Sequence, residues 1–263
     1  MPALNLLPPV MPFRWACAYG EDRTGLWQAF EVAGVRQVMR WIPPGEFLMG
    51  SLENEPERND NEHQHRVVLN EGFWLADTAC TQALWTAVMH TNPSRFKSDP
   101  QNPVEQVSWD DICLRFLLKI NEISPELQLE LPTEAQWEYA CRAGTTTPFS
   151  IGTQISTDQV NYNGDFPYAN GPKGIGRQGT VPVKALHRNP WGLYQMHGNV
   201  WEWCADKYSR QHSELDTNEG RRRSLRGGSW DDAGRGCRSA DRFAHKPDGR
   251  GDRTGFRLVR GAC

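Results

Sequence analysis

The stretch that decides the reading is RGGSWDDAGRGCRSADRFAHKPDGRGDRTGFRLVR, Arg226 to Arg260. Its two ends are sharply specified. Gly227-Gly228-Ser229-Trp230 reads as a tight turn followed by an aromatic anchor, and Gly255-Phe256-Arg257-Leu258 as a buried strand. Between them the residues follow neither the period of a strand nor that of a helix. A chain that writes its frame so firmly and leaves the interior of this segment so loose poses a question about what the interior is for.

Working outward, the composition bounds the answer. The chain has 263 residues, a formal net charge of -3 and eleven tryptophans, many beside Gly or Pro. That length buries a sizeable core in one large domain or two small ones. The tryptophans suggest an irregular, loop-rich fold held by large aromatic anchors. No basic excess argues for nucleic acid. No apolar stretch is long enough to span a bilayer. The start, MPALNLLPPVMPFRW, lacks a basic leader region and is broken by prolines, so the expected location is cytoplasmic. The seven cysteines (17, 80, 113, 141, 204, 237 and 263) form no CxxC and read as reduced, small apolar residues.

Local signals place the elements. A polar turn at Glu21 to Gly25 separates two aromatic-rich runs, as in a hairpin. Three helices are expected. One opens at Thr81. One opens at Ser108 with a capping-box partner at Asp111. The third opens at Thr133 with Gln136 reaching back, puts Trp137, Ala140 and Cys141 on one face and stops at Gly144. The partition expected is an N-terminal β extension over residues 1–40, packed on an α+β domain over residues 41–263.

Searches for chemistry find little. HExxH, Walker and GxSxG patterns are absent. His63 and His65 flank Gln64 in an acidic loop, and Arg221 to Arg223 form a short basic run; both read first as solvated loops. Asn199 and Glu202 in GNVWEW offer oxygen ligands of the kind that hold Ca²⁺, against the alternative that Asn199 caps a turn and Glu202 pairs with a buried arginine. No other cofactor is expected. Cys237 would be a nucleophile only if a base or cation lowered its pKa; a structural thiol is the simpler reading.

Taken in order, IPPGEFLMGS, PVEQVSWDDI, LPTEAQWEYACRAG, NPWGLYQMHGNVWEW, RGGSW and GFRLVR resemble the formylglycine-generating-enzyme (sulfatase-modifying factor) family over residues 41–260. The resemblance implies an α+β, C-type lectin-like fold with short twisted antiparallel sheets, two or three helices and much irregular backbone. In catalytic members two cysteines follow GGSW, two and seven residues after its tryptophan, and bind copper. Here those positions are Asp232 and Cys237. A carboxylate does not replace a thiolate in a two-thiolate Cu(I) site, so no formylglycine-generating activity is expected.

A second resemblance is to the variable proteins of diversity-generating retroelements, on the pattern RGGSW, CRSAxR, Pro247, Arg250 and GFRLVR at the C-terminal end. In that family adenines of this gene segment are rewritten, so AAC-type codons become NNC codons, and the fold displays the varied side chains as a ligand-binding surface. The resemblance divides the stretch into a frame and slots. The slots are Asp231, Asp232, Arg235, Gly236, Asp241, Phe243, Ala244, His245, Gly249, Gly251, Asp252 and Thr254. None is Met, Gln, Lys, Glu or Trp, the types that NNC codons exclude, and Lys246 is left in the frame. The frame arginines 238, 242, 250 and 257 are expected to anchor irregular backbone through carbonyls. The expected function is non-catalytic binding of a protein or other macromolecular ligand, and the acid-rich slots would suit a basic one. The alternatives are a metal-dependent oxidase of the formylglycine-generating family and a sensory or scaffold module.

Overall fold

The computed structural model describes residues 6–210 and 221–261; Cys263 lies outside them. Among the described residues, eleven strands and four α-helices are embedded in irregular backbone, an α+β arrangement. The first sheet has the order β1-β2-β3-β6-β11, from β1 (Ala18–Asp22), β2 (Gly25–Val32), β3 (Val35–Ile42), β6 (Phe73–Ala76) and β11 (Val259–Gly261). The β1–β2 turn falls where the sequence places it. Asp22 accepts from Thr24 N at 2.8 Å, and its carboxylate takes both terminal nitrogens of Arg40 at 2.9 and 2.8 Å, which ties the turn to β3. A boundary between residues 40 and 41 would cut β3. Met39 to Ile42 pair with β6, and Phe30, Met39 and Trp41 join Trp74, Trp85, Phe116 and Phe256 in one core, so the hairpin shares the sheet and core of the main body.

β4 (Gly45–Met49) and β5 (His65–Leu69) form a separate two-stranded ribbon. The sheet that carries most of the 226–256 stretch has the order β10-β7-β8-β9, from β7 (Trp201–Lys207), β8 (Arg223–Arg226), β9 (Arg242–His245) and β10 (Thr254–Phe256). The sheets were expected to be antiparallel, yet β10 runs parallel to β7. Residues 246–253 carry the chain back across the sheet, so it re-enters in the direction of β7, as a long crossover permits and a tight hairpin does not.

The helices begin at the expected caps. Thr81 accepts from Leu84 N ahead of α1 (Gln82–Met89). Ser108 and Asp111 form a reciprocal capping box ahead of α2 (Trp109–Asp111), which runs through a π turn at Ile112–Phe116 into α3 (Leu117–Ile123). Thr133 and Gln136 form a second capping box on α4 (Glu134–Arg142). The stop of α4 starts one residue before Gly144, with Ala143 already left-handed at φ 46°. Trp137, Ala140 and Cys141 are fully buried, as their spacing requires.

The frame arginines find carboxylates more than carbonyls. Arg226, outside that set, does both: it donates to the carbonyls of Ser239, Ala240 and Asp241 and to the carboxylate of Glu138. Arg238 takes both oxygens of Glu62 at 2.6 and 2.7 Å and Glu55 at 2.8 Å. Arg242 grips Glu134 and Arg257 grips Glu202. Arg226, Arg238 and Arg257 have no exposed surface, and a guanidinium taken fully out of water needs a countercharge that a carbonyl does not supply. Among the described residues, no helix is long and apolar enough to cross a membrane.

Candidate functional site

Trp201 and Trp203 lie two apart on β7 and therefore share a face of the sheet. Register sets Thr254 beside Trp201, Leu225 beside Trp203 and Phe243 beside Leu225. The rings of Trp201 and Phe243 lie 5.5 Å apart, and those of Trp203 and His245 6.2 Å apart. Between these four rings opens a cavity of about 310 Å³, rimmed by Asp232, Gly249, Arg250, Gly251, Arg253 and Thr254. Six of the twelve slots therefore line one concavity: Asp232, Phe243, His245, Gly249, Gly251 and Thr254. Phe243 keeps 47% of its surface exposed although it neighbours a buried strand.

The remaining slots divide. Asp231 and Arg235 are exposed, Gly236 is half-buried beside Asp232, and Asp252 is half-buried beneath Arg95. Ala244, next along β9, lines a different cavity. Asp241 does not belong on the surface. It is 6% exposed, accepts from Asn59 Nδ2 at 2.6 Å and lies 3.4 Å from Arg238. Burial pushes its carboxyl up, against the pull of Arg238. The sequence offered no sign of this, because its partners lie in a loop far upstream.

The glycines separate frame from slots. Gly227 and Gly228 have φ of +98° and +74°, where a side chain is strained, and a Cβ on Gly228 would stand 2.7 Å from Gly236 O. A Cβ on Gly255 would meet Val104 O at 2.6 Å. The slot glycines 236, 249 and 251 avoid that backbone region, and a Cβ on Gly251 would touch nothing nearer than 3.9 Å. A Cβ on Gly249 would meet the exposed His245 ring at 1.9 Å and Lys246 O at 3.1 Å, so a side chain there must displace that ring.

The acid-rich character expected of the slots is largely cancelled in space. Asp231 pairs with Arg253 at 3.3 Å and Asp252 with Arg95 at 2.5 Å. Asp232 accepts from Trp201 Nε1 at 2.8 Å and from Ser229 Oγ. Arg250 spends its guanidinium on Asp111, at 2.7 and 2.8 Å. The cavity is thus aromatic at its floor and close to charge-balanced at its rim.

A model of the sulfatase-modifying factor enzyme 1-like domain matches residues 28–262. The chain belongs to the sulfatase-modifying factor family. It is 34% identical to the formylglycine-generating enzyme of Streptomyces coelicolor, across 84% of this chain and 88% of the relative. It is 31% identical to the mouse formylglycine-generating enzyme across 75% of this chain, and spans about half the mouse enzyme's length. Among solved structures it resembles Treponema denticola variable protein 1, with a TM-score of 0.72, 25% identity and coverage of 89% of this chain and 98% of that one.

Copper of the catalytic family members does not fit these residues. The first slot is the Asp232 carboxylate, already held by Trp201 and Ser229, and Cu(I) prefers soft sulfur. Cys237 is fully buried, and burial raises its thiol well above the usual range. Behind it His197 donates from Nδ1 to Cys237 O at 2.7 Å and accepts at Nε2 from Ser150 N at 3.1 Å. Burial lowers the His197 pKa to about 4, so the ring is a neutral bridge. Calcium does not fit Asn199 and Glu202 either. Both Glu202 oxygens accept from Arg257, and one also takes Trp137 Nε1, so a guanidinium stands where a cation would. Asn199 Oδ1 faces Asn161 Nδ2 and Val181 N.

In this family member the residues that sequence reasoning missed are Trp201 and Trp203. They lie in a motif outside the stretch, yet they form the cavity floor. The WEW alternation signalled a strand face, but its alignment with 243, 245 and 254 is a matter of strand pairing.

Proposed function

We propose that this chain is a non-catalytic ligand-binding protein whose slots between Trp230 and Gly255 are diversified at the level of the gene. It holds a macromolecular ligand against the aromatic cavity of Trp201, Trp203, Phe243 and His245. The observation that carries this reading is the division of glycines and burial. Positions 227, 228 and 255 are closed to side chains, whereas 251 is open, 236 meets only the Asp232 side chain and 249 opens when the His245 ring moves aside, which supports the division into frame and slots. A surface free to vary must carry no folding duty, and every slot except Asp241 retains solvent exposure. The ligand gains affinity by covering the exposed rings of Phe243 and His245, which the buried indoles of Trp201 and Trp203 back from beneath, since aromatic area dominates the energetics of contact.

The test is deep sequencing of the 3′ end of the gene across a population of cells. Changes are expected only at the slots, with Asp241 invariant and large residues at 249 accompanied by small ones at 245. An invariant segment, or changes scattered equally over Gly228, Cys237 and Arg238, refutes the proposal.

A further inference from the structure

The ribbon of β4 and β5 leaves one edge of β4 open. Among the described residues β4 pairs with β5 alone, Phe47 opposite Val67 and Met49 opposite His65. Just past β4, Gly50 faces away from β5: its N–H donates to Glu138 Oε1 at 2.8 Å and its O accepts from Arg142 Nη2 at 2.7 Å. A trans peptide points its N–H and C=O in opposite directions, so an outward Gly50 N–H turns Met49 O toward β5. Alternation along the strand then turns the N–H and C=O of both Leu48 and Glu46 outward. Among the described residues no hydrogen bond reaches those four groups. The end of α4 thus covers this edge at Gly50 and leaves it bare at residues 46 and 48.

A cavity of about 380 Å³ opens along the bare part, lined by residues 46–48 of β4, by the end of α4 with residues 144–146, and by Trp191. Phe47, Tyr139 and Trp191 give it an aromatic wall: the Phe47 and Tyr139 rings lie 5.3 Å apart, and those of Tyr139 and Trp191 5.0 Å apart. Phe47 and Trp191 are only half-buried, and Leu48 keeps 48% of its surface exposed. The charges at the rim, Glu46 and Arg66, satisfy each other. None of the lining residues is a slot. A ligand that fits must bring backbone-like donors and acceptors at strand spacing with a bulky apolar group between them, and an extended peptide supplies both.

We propose that the open edge of β4 is a strand-addition site for an extended segment of a partner protein, lying antiparallel to β4 with a large apolar side chain at its central residue. The antiparallel direction uses all four free groups, two against the residue opposite Leu48 and two against the residue opposite Glu46. The central residue then faces Phe47 in a non-hydrogen-bonded pair, with Cα atoms about 4.5 Å apart, and its side chain leaves on the Phe47 face, toward Tyr139. This site is independent of the slots, so the chain keeps a constant partner whatever stands at 231–254.

The experiment titrates capped peptides of the form Lys-Thr-Val-Z-Thr-Thr-Lys into the full chain by calorimetry, with Phe, Leu, Ala or Asp at Z. Binding is expected with Phe or Leu, about tenfold weaker with Ala, and absent with Asp. N-methylation of either residue flanking Z should abolish binding, because those N–H groups face β4, whereas N-methylation of Z should not, because its N–H faces away. Leu48→Pro removes one outward N–H while sparing the ladder to β5, and should weaken binding at least tenfold. Trp191→Ser should do the same by opening the aromatic wall, and Phe243→Ser should change nothing. Should Leu48→Pro misfold, the methylated peptides decide. Equal affinity for all the peptides, or binding by none, overturns the proposal. A loss in Phe243→Ser with Leu48→Pro unaffected assigns the peptide to the slot surface and also overturns it. A dimer of the chain alone that Leu48→Pro dissolves gives the edge to a second copy and overturns the partner assignment.

Discussion

Glu105 makes the stability of this protein depend on pH in a direction that can be worked out. Its side chain is fully buried beneath the loop that carries Asp252. One carboxyl oxygen accepts from Phe96 N at 2.8 Å, and the other has no partner. Burial raises its pKa from 4.5 to about 7, backbone donors at Phe96 and Arg95 resist, and the nearby Asp252 adds to the rise. Between pH 4.5 and 7 the folded chain therefore holds a proton that the unfolded chain has released. Stability present at low pH is lost as pH climbs through this window. The full interval corresponds to at most about 3 kcal/mol. Glu105→Gln keeps the shape and removes the ionisation. Its melting temperature should match that of the parent chain near pH 5 and exceed it by several degrees at pH 8, since 1 kcal/mol moves a chain of this size by about 2–4 °C. Calorimetric scans of both proteins from pH 5 to 8 give the difference directly, free of other groups that titrate in common. A difference that stays constant with pH, or a Gln variant less stable at pH 8, would refute the reasoning. The result bears on the site, because the same loop packs Phe96 against Trp230 at 5.3 Å and bonds Gly251.

Two further outcomes follow from the geometry. Gly228→Ala forces a Cβ against Gly236 O and Cys237 Sγ, at 2.7 and 2.9 Å, in a left-handed backbone. It should cost about 2 kcal/mol or more, whereas Gly251→Ala should stay within about 0.5 kcal/mol, both read by denaturant unfolding. Incubation with copper and a cysteine-containing peptide should yield no aldehyde, because the paired thiolates are missing at Asp232; mass spectrometry showing a formylglycine product would sink the non-catalytic reading.

The sequence by itself determined what depends on neighbours along the chain. The hairpin turn at Asp22, the caps at Thr81, Ser108 and Thr133, and the closed glycines at 227 and 228 are all local conformational demands, met by residues a few positions apart. The division into frame and slots is what the resemblance to the variable proteins implies. Only the tertiary structure decided which charges meet and which surfaces converge. Arg238 bonds Glu62 at a separation of 176 residues, and that same upstream loop draws Asp241 out of the surface. Trp201 and Trp203 become the floor of the site because β10 re-enters parallel to β7. No local periodicity encodes such pairings. A buried charge takes whichever countercharge the fold delivers, and a cavity exists only where distant side chains fail to fill the space between them.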